Sequence, residues 1–178
     1  MAQTLIRGSS VIERLNRMDV DFIDVTVSPD AGNTGAMAVG DLLFTLTEIP
    51  YAVSQAGGRA ILQSCCAIIS PMVTGSFDLV VTSSSTALTE ASDGSAMEPN
   101  DAVSAGDNTL AELDGTCGFF SITNAFDAGV VAIGDKKNIG MVCKAASGST
   151  SLYLWAIAQG STDWDVDTGV IRLGFVKD

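Results

Sequence analysis

The 178 residues include no histidine. Imidazole is the usual general base near neutral pH and the commonest zinc ligand, so its absence removes most hydrolase triads, most catalytic zinc sites and any histidine-based pH switch. Carboxylates, hydroxyls, lysines and thiols remain. The densest carboxylate cluster is Asp163-Trp164-Asp165-Val166-Asp167-Thr168-Gly169. Acids at its first, third and fifth positions imitate the start of a calcium loop. Thr168, however, stands where that loop has Gly, and the twelfth position is Gly174 rather than Glu. Three carboxylates this close repel one another, and either a cation or hydration at a hairpin tip relieves them. The spacing assigns no metal. Asp19, Asp21 and Asp24 form a second cluster, in which Asp19 and Asp21 share one face of a strand and read as a solvated face.

Nucleophilic chemistry finds no better footing. The nearest approach to a nucleophile elbow, Ala102-Val103-Ser104-Ala105-Gly106, lacks the first Gly and follows no apolar strand. Lys136, Lys137 and Lys144 could each assist a serine, but no spacing selects one. There is neither a phosphate-binding loop nor a dinucleotide fingerprint. Cys65 and Cys66 are adjacent and would point to opposite faces of a strand, while Cys117 and Cys143 sit singly in apolar runs. With no C-x-x-C spacing, all four read as buried free thiols. No catalytic, cofactor or metal-binding residues are assigned, and no cofactor is expected.

Among the aromatics, Tyr153 and Trp155 share one strand face with Ile157. Such a row could stack on a sugar, anchor an interface or lie in a core. The alternate face, Leu152, Leu154, Ala156 and Ala158, is apolar as well, which favours burial on both sides. That burial could come from sheet packing or from a partner subunit.

Charge divides the chain. The formal net charge is -12, a balance that repels nucleic acid and argues against its direct binding. Residues 1–18 run the other way, with Arg7, Arg14 and Arg17 against Glu13 alone. This N-terminal arm could dock on an acidic neighbouring subunit through its arginines, or fold back on its own domain through Ile6, Val11, Ile12 and Leu15. Residues 84–115 carry seven acids and no basic side chain amid Ser, Ala, Thr and Gly. They are expected to form an exposed acidic excursion, with a short helix near 101–105 or 109–113. The first residues lack the pattern of a secretory signal, and no run reaches the roughly 18 apolar residues of a membrane helix. The expectation is a chain with no membrane partner, made in a cytoplasm.

The elements that would position these residues are strands. Apolar alternation and turn composition mark candidates over 19–27, 42–49, 59–70, 77–82, 116–122, 129–133, 138–145, 152–158 and 169–176. Gly134-Asp135-Lys136-Lys137 is read as the hairpin turn between the sixth and seventh of these. The dense run Cys65-Cys66-Ala67-Ile68-Ile69 reads as a strand covered on both faces. With no long amphipathic helix, the fold class is all-β: an antiparallel β-sandwich, jelly-roll-like, formed by a single domain over 19–178.

Several of these segments carry a resemblance. Lys137–Ala145, Ser151–Ser161 and Val170–Phe175, together with Gly40-Asp41-Leu42-Leu43-Phe44 and Thr47-Glu48-Ile49-Pro50, resemble small structural proteins of tailed-bacteriophage virions. The resemblance implies an all-β head protein without catalytic residues. Such a protein would be a decoration or cement protein, a trimer or dimer, seated on the lattice of the major capsid protein within the virion. The sites assigned to partner binding are Arg7, Arg14, Arg17, Tyr153 and Trp155. The alternatives are a tail- or fibre-associated β-protein, and a carbohydrate-binding module using Trp155 or Trp164.

Overall fold

The computed structural model describes residues 20–28, 38–70, 75–89, 115–127, 131–160 and 168–178. Among these the only regular elements are eight strands: β1 (Asp21–Val27), β2 (Leu42–Ile49), β3 (Arg59–Ser70), β4 (Ser76–Thr82), β5 (Thr116–Asp127), β6 (Ala132–Lys144), β7 (Leu152–Ala158) and β8 (Thr168–Lys177). The first four pair antiparallel with the last four in reverse order, β1 with β8, β2 with β7, β3 with β6 and β4 with β5. The chain is thus one long hairpin. It is rolled up by two further pairings, β3 with β8 and β4 with β7. With β5 also pairing β6 over Asn124–Asp127, the strands run in one continuous order, β1-β8-β3-β6-β5-β4-β7-β2, folded into two antiparallel four-stranded sheets, β1-β8-β3-β6 and β5-β4-β7-β2, and this rolled hairpin is the jelly roll anticipated from the strand pattern.

The sheets pack face to face because strand alternation supplies one apolar side to each. Val25, Val27, Leu62, Cys65, Ala67, Ile69, Ile171, Leu173 and Phe175 come inward from the first sheet. Phe44, Phe77, Leu79, Val81, Ile122, Leu152, Leu154, Ala156 and Ala158 meet them from the second. Phe44, Phe77 and Phe175 are the largest of the fully buried side chains, each contributing about 1.5–3 kcal/mol by burial. The few buried polar groups are satisfied. Asp41 accepts from the Ala38 backbone N–H at 2.6 Å, and the Ser151 hydroxyl donates to Glu48 at 2.6 Å.

Three expectations are corrected. Gly134-Asp135-Lys136-Lys137 is not a turn; these residues lie inside β6, paired with β3 from Ala67 to Ser64. The irregularity falls just beyond, where Leu62 faces Met141 and Ser64 faces Lys137, leaving β6 two residues longer than its partner. Asn138 and Gly140 absorb the excess with φ of 57° and 66°, so polar composition that suggested a hairpin marks a bulge instead. The nine candidates therefore become eight strands. β3 has a bulge of its own at the same place, with one residue more than β8 between Leu62 and Ser64, so its inward residues are Ala60 and Leu62 before it, then Cys65, Ala67 and Ile69 after it. Cys66 and Ile68 consequently face outward and are half-buried rather than covered.

On the outer face of the first sheet Gly174 sits between β1 and β3. A Cβ there would lie 2.9 Å from Val20 Cγ1 and 3.1 Å from Phe22 Cε1, and closer still to the Ser64 hydroxyl. The exposed ring of Phe22 lies over the glycine. Gly174→Ala should lower the unfolding free energy by about 1–3 kcal/mol, measured by chemical denaturation. Ser64→Ala in the same chain should recover part of that loss. Strictly additive effects of the two substitutions would place the crowding elsewhere.

Candidate functional site

Alternation along β1, β8, β3 and β6 also fixes what the first sheet presents outward. Val176 and Val142 are register partners of Ile61, so the three form one apolar row across β8, β3 and β6. Val142 is 61% exposed and Ile61 37%. A second row, Val170, Ile68 and Ile133, crosses the other end of the same strands and is half-buried. Between the rows runs a belt of paired charge. Arg172 makes a bidentate bond to Asp24, both contacts at 2.7 Å, and Lys137 reaches Asp135 at 3.0 Å. The Arg172 guanidinium holds the Asp24 carboxyl below its ordinary range, chiefly by that hydrogen bond. At the edge, Lys177 pairs with Asp21 at 3.1 Å. Asp21 and Asp24, of the second acidic cluster, thus each have a cation.

The second sheet has a different outer face. Trp155 and its register partner Val80 project outward with Leu42 and are covered by Leu88, from the start of the acidic excursion. They form a small second core flanked by Leu46 and Ile157. Trp155 is only 6% exposed, so its ring offers no open face. Tyr153, on the same strand face, is half-buried. Burial on both sides of β7 is therefore supplied by this chain, with Leu152, Leu154, Ala156 and Ala158 in the main core. Arg7, Arg14 and Arg17 lie outside the described residues, as do Asp19, Asp163, Trp164, Asp165, Asp167, Ser104 and residues 90–114.

At one end of the sandwich lies a cleft of about 700 Å³, lined by Gly57, Ser83, Cys117, Val142, Lys144 and Ser147 among others. Its rim is latched by backbone bonds between loops, Gly57 N–H to Ser149 O, Ala145 N–H to Gly58 O and Ser83 N–H to Gly115 O. The four cysteines are free. Cys65 and Cys143 are buried as expected, whereas Cys66 and Cys117 are only half-buried. Burial pushes the Cys65 and Cys66 thiols up. Cys117 goes the other way, to about 7, lowered chiefly by the neighbouring Cys143 and also by the Lys144 backbone, while Cys143, whose thiol donates to the Met141 carbonyl at 3.8 Å, is pushed up. Sequence inspection missed this proximity and the exposed row of Ile61 and Val142. The even spacing of Ile61 and Leu62 among apolar neighbours hides which of them points outward until the bulge is located. Among the described residues no group of three His, Cys, Asp or Glu side chains could hold a metal ion.

Because Leu88 closes the second core, Leu88→Ala should open a cavity over Trp155 and cost about 2–4 kcal/mol. In a Trp164→Phe background the emission of Trp155 should shift to longer wavelength as water reaches the ring. An unchanged emission maximum would mean that another group covers it.

No family model matches the chain, and no curated protein matches it. Among solved structures it is similar to that of tomato aspermy virus, at a TM-score of 0.32 and 7% identity, over 99% of this chain and 96% of that one. It is also similar to murine APRIL, at 0.29 and 9% over 86% and 98%, and to desmodium yellow mottle tymovirus, at 0.26 and 11% over 88% and 84%. These scores fall short of a shared fold. The jelly-roll assignment rests on the strand pairings.

Proposed function

We propose that this chain is a non-enzymatic structural protein of a virion, a decoration or cement protein that binds the major capsid protein and stabilises a phage head lattice. The observation that carries the reading is the outer face of β1-β8-β3-β6, where two apolar rows flank a belt of paired charge. Such a face can dock in one register: the apolar rows supply the favourable burial, and the belt penalises a misaligned partner. The resemblance to tailed-phage virion proteins supports the choice of partner, since its segments lie in β2, β6, β7 and β8 and in the turns that adjoin them. Symmetric self-association as a trimer or dimer would repeat the face across a lattice, so that modest individual contacts add up. The basic arm, through Arg7, Arg14 and Arg17, would add an electrostatic contact to an acidic neighbour.

Purified chain should behave as a small oligomer and co-sediment with expanded heads in a copy number set by the head symmetry. A stable monomer without affinity for heads would overturn the reading, and sedimentation with isolated tails instead would favour the tail-associated alternative. Ile61→Asp with Val142→Asp should weaken head binding by about tenfold or more while the strand signal in circular dichroism is retained. Replacing Arg7, Arg14 and Arg17 with Ser should weaken binding and flatten its salt dependence. Undiminished assembly would remove the arm from the interface.

A further inference from the structure

Charge is divided between the two sheets. Every described basic side chain lies on β3, β6 or β8, and three of them pair with acids of the same sheet, Lys177 with Asp21, Arg172 with Asp24 and Lys137 with Asp135. The sheet β5-β4-β7-β2 carries acids and no base. Its two described acidic side chains, Glu48 and Asp78, meet only neutral donors among the described residues. The Ser151 hydroxyl donates to Glu48 at 2.6 Å, and Asp78 accepts at Oδ1 from the Ser121 hydroxyl at 2.5 Å and at Oδ2 from Gln159 Nε2 at 2.9 Å. Gln159 is itself fixed, since its backbone N–H donates to the Ser76 carbonyl at 2.8 Å. The Asp78 carboxylate is thus held in place while keeping lone pairs for a further donor.

Phe119 stands beside it. Its register partner is Val80, two residues from Asp78 along β4, so ring and carboxylate are diagonal neighbours on one face, roughly 7–8 Å apart at the backbone and within reach of one long side chain. Phe119 is 67% exposed, although the adjoining Val80 and Trp155 are covered by Leu88. An open aromatic ring next to a fixed carboxylate without a cation is a seat for a guanidinium, which stacks on the one and pairs with the other. A neutral or acidic partner would leave that carboxylate covered and uncompensated. The chain itself has the matching group, because residues 1–18, outside the described residues, carry Arg7, Arg14 and Arg17 against Glu13 alone.

We infer that the outer face of β5-β4-β7-β2 is the docking site for the basic arm of a neighbouring copy of this chain, with an arm guanidinium stacked on Phe119 and paired with Asp78. Where the arm begins favours a neighbour. Val20 lies against Gly174 on the outer face of the other sheet. From there β1 packs beside β2, and β2 and β5 are opposite edges of the second sheet. The way back to its own Phe119 crosses the depth of the sandwich, about 10 Å, and three strand spacings of about 4.8 Å each. Arg17, at most about 11 Å from Val20 along the chain, reaches this face only on a neighbour. In a closed oligomer each copy lends its arm to the next. The inference rests on the self-association in the proposed reading and names the surface that the arm takes, leaving the opposite sheet free for the lattice.

The test uses the full chain, with self-association measured by analytical ultracentrifugation over a dilution series. Phe119→Ala, Asp78→Lys, and an arm variant with Arg7, Arg14 and Arg17 replaced by Glu should each raise the dissociation constant by about tenfold or more, with the strand signal in circular dichroism retained. Asp78→Lys placed in the same chain as the Glu-substituted arm should recover part of the association, because the charges are exchanged. A photocrosslinking p-benzoylphenylalanine in place of Phe119, in a mixture of heavy-isotope and unlabelled chains, should capture arm peptides of the other isotope. A wild-type oligomer indifferent to Asp78→Lys, crosslinks confined to single chains, or a wild-type monomer that still binds heads would each overturn the inference and leave the head reading standing. A monomer without affinity for heads would remove both.

Discussion

Strand β5 must hydrogen-bond in two sheets, and much of the molecule follows from how it does so. Its first residues belong with β4 and its last with β6, so the strand has to bend where the sheets part. The hand-over falls between Thr123, the last residue paired with β4, and Asn124, the first paired with β6, and the register with β6 is irregular there, between Asn124 and Phe126; a separate bulge leaves Cys117 unpaired at the start of the strand. The facing strand adjusts in the complementary place. β6 carries two additional residues between Lys137 and Met141, with Asn138 and Gly140 at positive φ. The joint between the sheets is therefore the most irregular part of an otherwise repetitive fold. The cleft lies at the other end of β5, beside the Cys117 bulge.

The fold class was legible because strands with one apolar face announce themselves by alternation. β2 and β3 fall where the sequence pattern puts them, and β7 and β8 match within one residue. What misled was composition. Gly134-Asp135-Lys136-Lys137 has the residues of a turn, yet its acid and lysine serve as the outer face of a strand, with Lys137 paired to Asp135. Local propensity cannot distinguish a polar strand face from a reversal of the chain; the partner strand decides. Trp155 was legible as buried, but not as buried under Leu88, because that segment reads as a polar excursion until its one apolar anchor is seen in place.

A long excursion between β4 and β5 is compatible with this frame because its ends are tied. The Ser83 N–H bonds the Gly115 carbonyl, and the Thr82 hydroxyl accepts from the Ser84 N–H. Loop-closure cost grows only slowly with length once such ends are fixed. The excursion also contributes to the core it leaves, through Leu88. The same end holds the latch between residues 57–58 and 145–149 and the backbone bond from Asp178 to Arg59. The open end of the seam is thus framed by loop hydrogen bonds, which hold the two sheets at a fixed separation where strand pairing does not.

The two outer faces are consequently not equivalent, and the difference bears on what can bind. On β5-β4-β7-β2 the chain spends its own Leu88 to cover Trp155, Val80 and Leu42. These three side chains are shielded without a partner, while Phe119, the register partner of Val80 on the same face, is 67% exposed. On β1-β8-β3-β6 no described segment lies over Ile61 and Val142, which remain in contact with solvent. The charges between the apolar rows on that face are paired within the sheet, Asp24 with Arg172 and Asp135 with Lys137. Pairing lowers the cost of placing them against another surface, because each charge keeps a partner when water leaves. Paired charge and exposed aliphatic groups thus lie together on the outer face of β1-β8-β3-β6.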